Sequence, residues 1–232
     1  MLRSAVEAGQ ALLDLVLPRS CAGCSLAGPL LCPRCAAPLR RAAEPTQPRP
    51  CPAGFPPTWA VSAYDGPVRA AVLAHKEHGR LALARPLGEA LARSVAGAVD
   101  SAPGPVVLVP VPSRAAATRQ RGHDPVLRMA RVAAAWLREQ GVDARVSPLL
   151  RARRRLADQA GLSAGARTVN LGGAHRVRPR VRLPGDHDCV VLVDDVVTTG
   201  ASLTEATRAL LTAGVPVHAA AVVAATQRRR PG

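Results

Sequence analysis

Aromatic side chains are nearly absent: Phe55, Tyr64, Trp59 and Trp136 are 2% of a 232-residue chain. Their scarcity excludes a core of stacked rings and removes most platforms on which nucleic-acid bases stack. Long purely apolar runs are missing too, which argues against a membrane-spanning helix. Acids are outnumbered, with 31 basic against 16 acidic side chains and a net charge of +15, and Lys76 is the sole lysine. What is plentiful is aliphatic: 48% of the residues are apolar, so Ala, Val and Leu must build the core. The length suits one α/β domain of about 150 to 180 residues plus a small appendage.

An arginine excess of this size favours anionic partners, phosphates first, although an Ala/Arg/Pro vocabulary also reflects codon bias. Ten arginines against the single acid Asp158 fall between Arg145 and Arg182, and Arg228, Arg229 and Arg230 lie near the end. That segment reads either as phosphate or nucleic-acid contact or as a solvated basic face. Near the start, Leu2, Val6, Leu12, Leu13, Val16 and Leu17 have amphipathic-helix spacing. Glu7, Gln10 and Asp14 interrupt it, unlike the apolar stretch of a signal peptide, so a cytoplasmic location is expected.

Cys21, Cys24, Cys32 and Cys35 follow a C-x2-C-x7-C-x2-C pattern. Two short knuckles each present two thiolates, and four sulfurs complete the closed tetrahedral shell of a structural zinc site. Disulfides, which a reducing cytoplasm disfavours, and an iron–sulfur cluster are the alternatives. Cys51, in a Pro-rich linker from Pro45 to Pro57, and Cys189, just before a buried strand, carry no assigned role. The expected division is residues 1–57 for the N-terminal helix, zinc-ribbon-like module and linker, and residues 58–232 for the α/β domain.

Within that domain the pattern predicts strands at Trp59–Tyr64, Val106–Val111, Val190–Asp195 and Val215–Val223. Helices are expected at Pro67–Lys76, Leu81–Ala98, Val126–Gln140 and Ser202–Ala213, the last capped by Gly214. This alternation is most simply wired as a parallel sheet flanked by helices. The weakly periodic stretch from about 150 to 185 reads as a flexible hairpin or hood.

The most informative stretch runs from Val190 to Ser202. Four aliphatics make a central strand, and Asp194 and Asp195 stand at its carboxyl end, where open α/β sheets bind ligands. Thr198, Thr199, Gly200, Ala201 and Ser202 then form a small-residue loop entering a helix, where N–H groups, hydroxyls and the helix dipole converge on a phosphate. Gly200 permits close backbone approach. Acids beside a phosphate cradle fit a sugar phosphate: the carboxylates accept from ribose hydroxyls and the loop holds the 5′-phosphate. The plainer reading is a buried strand with an Asx turn and a capped helix.

This stretch resembles the phosphoribosyl pyrophosphate (PRPP) motif of type I phosphoribosyltransferases. With the cysteine knuckles, Leu108-Val109-Pro110-Val111-Pro112, Arg121-Gly122-His123, Gln159 and Arg167-x-x-Asn170, the chain as a whole resembles the ComF family of competence-associated, phosphoribosyltransferase-like proteins. Where that family usually reads Arg-Gly-Phe-Asn-Gln, this chain has Arg121-Gly122-His123-Asp124-Pro125, an acid in place of an amide.

The resemblance implies PRPP as ligand and Mg2+ with it. Asp194 and Asp195 become the catalytic and ribose-orienting acids, and Thr198 to Ser202 the 5′-phosphate loop. Ser113, Arg114, Arg119 and Arg121 are implied as pyrophosphate contacts, and Arg151, Gln159, Arg167 and Asn170 as hood residues. The implied reaction displaces pyrophosphate from C1 by a nitrogen nucleophile. Lys76, at a position where ComF-like proteins often carry lysine, reads equally as a surface lysine. His75, His78 and His123 read as polar surface residues. Two other functions stay open: a non-enzymatic single-stranded-DNA handler in DNA uptake, and a PRPP-sensing adaptor that binds without turnover.

Overall fold

The computed structural model describes residues 20–100, 104–112, 122–152 and 173–226. Among the described residues eight strands and five α-helices succeed one another: α1 (Pro33–Ala36), β1 (Glu44–Thr46), β2 (Thr58–Ala63), α2 (Gly66–Lys76), α3 (Ala84–Ala98), β3 (Val106–Pro110), α4 (Pro125–Glu139), β4 (Ala144–Val146), β5 (Leu150–Ala152), β6 (His175–Val177), β7 (Cys189–Val197), α5 (Ala201–Thr212) and β8 (Ala219–Ala225). Six strands form one sheet in the order β1-β2-β8-β7-β3-β4, parallel throughout except where β1 joins β2 antiparallel. The expected α/β class, a largely parallel sheet flanked by helices, is therefore the observed one. No helix among the described residues is long and apolar enough to cross a membrane.

Side-chain alternation splits the core into two layers. Val191 and Val193 of β7 face α2, α3 and α4, packing with Leu87, Leu91, Met129 and Leu137. Val190 and Leu192 face the other way, against Leu203, Ala206 and Leu210 of α5. With β7 and β8 covered on both sides, the strands need no polar face, which is why they read as continuous aliphatic runs. Fully buried alanines fill much of β8, and small side chains let α3 approach the sheet closely enough for buried Ser94 to donate to the Val222 carbonyl at 2.8 Å.

Two expectations need correction, and one strand lies outside the expected set. The Pro-rich stretch contributes β1, whose Glu44, Pro45 and Thr46 pair with Ala60, Trp59 and Thr58. A sheet edge tolerates the proline because one face of its backbone needs no ladder partner. The last strand starts at Ala219 rather than Val215: the Val215 N–H is taken by the Leu210 carbonyl, closing the end of α5 beyond Gly214. His75 is buried rather than at the surface, its Nδ1 3.4 Å from the Arg80 carbonyl and its Nε2 3.5 Å from that of Pro125.

The cysteine module rests on this domain. Ala22, Leu30 and Leu31 pack against the α2–α4 side of the core, and Arg80 donates to the Ser20 carbonyl at 2.6 Å. The 150–185 stretch begins and ends as a small antiparallel pair, β5 with β6, laid on α5.

Candidate functional site

β7 ends in the two acids, and strand geometry sends them to opposite faces. Asp195 turns toward α2, where its Oδ2 accepts from Lys76 Nζ at 2.6 Å. Its side chain is 7% exposed, while that of Lys76 is 32% exposed. Asp194 turns toward the α5 side and its Oδ1 accepts from the Asp195 N–H at 2.8 Å. Burial first, and the charge of Asp195 second, push the Asp194 carboxyl well above the usual carboxylate range. The Asp195 N–H and the positive charge of Lys76 oppose that rise without cancelling it.

The chain leaves β7 through Thr198 and Thr199, both exposed, and enters α5 at Gly200 with φ +76°. Only glycine adopts that left-handed conformation without strain. Ala201 N–H lies 3.4 Å from Thr199 Oγ1, and Ser202 is exposed on the first turn. Three hydroxyls thus surround a helix N-terminus that opens to solvent. Gly200 itself is covered: a Cβ there would lie 2.8 Å from the Phe55 ring and 2.9 Å from Pro48 Cγ. The close approach that its missing side chain permits is therefore that of the Pro-rich segment, which packs over one side of the loop.

Ser113, Arg114, Arg119 and Arg121 lie outside the described residues, as do Gln159, Arg167, Asn170, the N-terminal helix and the terminal arginines. The described residues on either side of 113–121 are placed, however. Pro110 to Pro112 extend from β3 beside β7, and Val111 N–H donates to the Val193 carbonyl at 2.9 Å. On return, Asp124 caps α4 by accepting from Leu127 N–H at 3.1 Å, with Pro125 beginning the helix. Asp124 thus holds a helix start. His123 packs its ring 5.9 Å from that of buried His75, tying this return to the end of α2.

Of the expected hood residues, Arg151 is described. It sits in β5 opposite Arg176, its Nε buried with no partner among the described residues. Other arginines are spent internally. Arg145 makes a two-pronged pair with Asp188, and Arg208 does the same with buried Glu205, which also accepts from the His175 N–H. Arg178, Arg138 and Arg80 donate to carbonyls, and Arg93 stands over Trp136.

Upstream of β1 the four cysteine sulfurs converge, all within 4.8 Å of one another. Cys24 Sγ and Cys32 Sγ are 4.0 Å apart, close to the roughly 3.8 Å edge of a tetrahedron with Zn–S bonds of about 2.3 Å. Burial alone would raise the Cys21 thiol. The N–H groups of Cys32, Gly23 and Cys24 outweigh it and bring it down to about 6, while burial and the other three sulfurs push Cys35 up to about 12. Crowded sulfurs of which one is already a thiolate suit a divalent cation, whose charge would stabilise the rest as thiolates.

The sequence matches the family model for the phosphoribosyl transferase domain over residues 149–232. That stretch contains β5 to β8, both acids and the hydroxyl loop. It leaves out Lys76, the 113–121 loop and the cysteine module. No curated protein matches the chain.

Proposed function

We propose that the chain binds PRPP at the carboxyl end of β7 and transfers its phosphoribosyl group to a nitrogen acceptor, releasing pyrophosphate. The observation that carries this is the sequence of two acids and an open, hydroxyl-lined helix N-terminus at one strand end, inside the stretch similar to phosphoribosyl transferase domains. The 5′-phosphate would sit against Thr198, Thr199 and Ser202, where unpaired N–H groups and the α5 dipole stabilise an anion. Asp194 and Asp195 would flank the ribose and accept from its hydroxyls.

In this reaction the C1–O bond to pyrophosphate breaks and a C1–N bond forms, and the nucleophile's proton leaves to solvent or a base. Positive charge develops on the sugar ring as the leaving group departs, so the neighbouring Asp195 carboxylate would stabilise that ring. Mg2+ bound with PRPP would neutralise charge on the pyrophosphate. Ser113, Arg114, Arg119 and Arg121, which fall between the described Val111 and Asp124, would contact the pyrophosphate leaving group. Cys21, Cys24, Cys32 and Cys35 would hold a structural zinc, which would supply the charge that keeps their thiolates together and shapes the N-terminal module. The resemblance to the ComF family extends the proposal to DNA uptake. The pairing of Arg145 and Arg178 within the chain weighs against the basic segment as a nucleic-acid surface.

Calorimetry of PRPP with and without Mg2+ tests the site before any acceptor is chosen. Saturable Mg2+-dependent binding, lost in Asp195→Ala, is expected, and absence of binding under both conditions refutes the proposal. Release of pyrophosphate from labelled PRPP across a panel of bases then separates a transferase from a PRPP-sensing adaptor, which would bind without turnover.

A further inference from the structure

The two faces of β7 divide the ends of a bound sugar phosphate between them. The hydroxyl loop opens into α5, on one side of the sheet, while Asp195 turns to the other, where α2 ends at Lys76. A pentose lying across the strand end with its 5′-phosphate in the loop therefore directs its C1 substituent toward the α2 side. The Pro125 carbonyl, at the start of α4, lies on that side too, 3.5 Å from His75 Nε2. Lys76 follows His75 directly, so the buried imidazole fixes the helix end from which the ammonium reaches.

We propose, resting on the PRPP-binding reading above, that Lys76 is the residue that recognises the C1 pyrophosphate, exchanging its Asp195 contact for a phosphate oxygen when the diphosphorylated sugar binds. Without ligand, the ammonium at 2.6 Å compensates a carboxylate that is almost fully buried. An uncompensated charge there is costly, so the pair is held together. A ligand that brings ribose hydroxyls to Asp195 supplies new donors to the carboxylate, and its pyrophosphate offers the lysine a higher negative charge. Both partners of the original pair are then satisfied by one molecule. A flexible four-carbon stem whose side chain is one-third exposed suits this movement, and a point charge suits a phosphate group that need not be gripped bidentately. Ribose 5-phosphate lacks the second group and cannot compensate the lysine, so the exchange favours sugars carrying the leaving group.

Calorimetry of the full chain with PRPP, inorganic pyrophosphate and ribose 5-phosphate, each with Mg2+, tests this in the wild type, Lys76→Met and Lys76→Arg. Melting curves establish that each variant is folded. In Lys76→Met, affinity for PRPP and pyrophosphate should fall about tenfold or more, the scale of one charge-assisted hydrogen bond, while ribose 5-phosphate changes less than about threefold. Lys76→Arg should retain part of the PRPP affinity. Equal losses for all three ligands would show a merely structural lysine and overturn the inference, as would PRPP affinity unchanged in Lys76→Met. A wild type that binds none of the ligands overturns the underlying PRPP reading as well, whereas a wild type that binds PRPP leaves that reading intact whatever the variants do.

Discussion

Lys76 Nζ lies 2.6 Å from Asp195 Oδ2 although the two residues are 119 positions apart. One end of the contact is buried and the other is not, which sets its energetic weight. Losing the lysine strands a buried carboxylate, but its exposure keeps the cost below the roughly 3–5 kcal/mol of a fully buried pair. Lys76→Met should destabilise the chain by about 1–2 kcal/mol in denaturant unfolding. Adding Asp195→Asn should recover much of that, because the second change removes the stranded charge. Strictly additive losses would mean that the contact contributes nothing.

Gly200 is under two constraints at once, a φ of +76° and the Phe55 and Pro48 atoms less than 3 Å from any added Cβ. Gly200→Ala should therefore cost about 2 kcal/mol or more through backbone strain and overpacking. Phosphate affinity should fall with it, since relief of either constraint tilts the first turn of α5. Phe55→Leu loosens the cover while leaving φ untouched. If Gly200→Ala on the Phe55→Leu background costs as much as on the wild type, strain dominates, and a smaller cost there assigns the remainder to the ring. A neutral Gly200→Ala would contradict both.

The strand and loop from Val190 to Ser202 were legible because their signals are local: an aliphatic run, two acids, then small hydroxyl residues entering a helix. Helices α2, α3 and α4 were legible from apolar spacing. By contrast β1 has no apolar pattern of its own, and Glu44, Pro45 and Thr46 become a strand only because the β2 edge offers hydrogen bonds. In β8, valines at 215 and 217 drew the expected start too early, while alanines at 219–221, poor strand formers in isolation, are selected by close packing on both faces. The Lys76–Asp195 and Phe55–Gly200 contacts depend on chain crossovers that no local window encodes.

Two histidines set an expected pH dependence. Burial, first among the causes in each case, lowers the imidazoles of His75 and His175 below 6.5. The unfolded chain then takes up protons that the folded chain refuses, so stability is unaffected well above pH 6.5 and falls as the pH drops through that value toward the lower folded ones. The urea midpoint of the wild type should decline between pH 7.5 and 5.5. The doubly substituted His75→Gln, His175→Gln chain, though less stable overall, should show a flatter profile. Parallel profiles would mean that neither ring stays neutral in the fold.

Metal removal should reach beyond the cysteine knuckles. Ala22, Leu30 and Leu31 are packed on the same core as α2, α3 and α4, and Arg80, just beyond the end of α2, donates to the Ser20 carbonyl. The module has too few apolar residues to hold its shape alone, so loss of its cation should release this surface and lower the melting temperature of the whole domain. Metal analysis should find one zinc per chain, absent in Cys35→Ser and retained in Cys51→Ser, whose cysteine is exposed and outside the cluster. Chelation at neutral pH should shift the melt downward and speed hydrogen exchange along α2 as well as in residues 20–40. Exchange confined to residues 20–40, with an unchanged melt, would mean that the module is carried by the domain without supporting it.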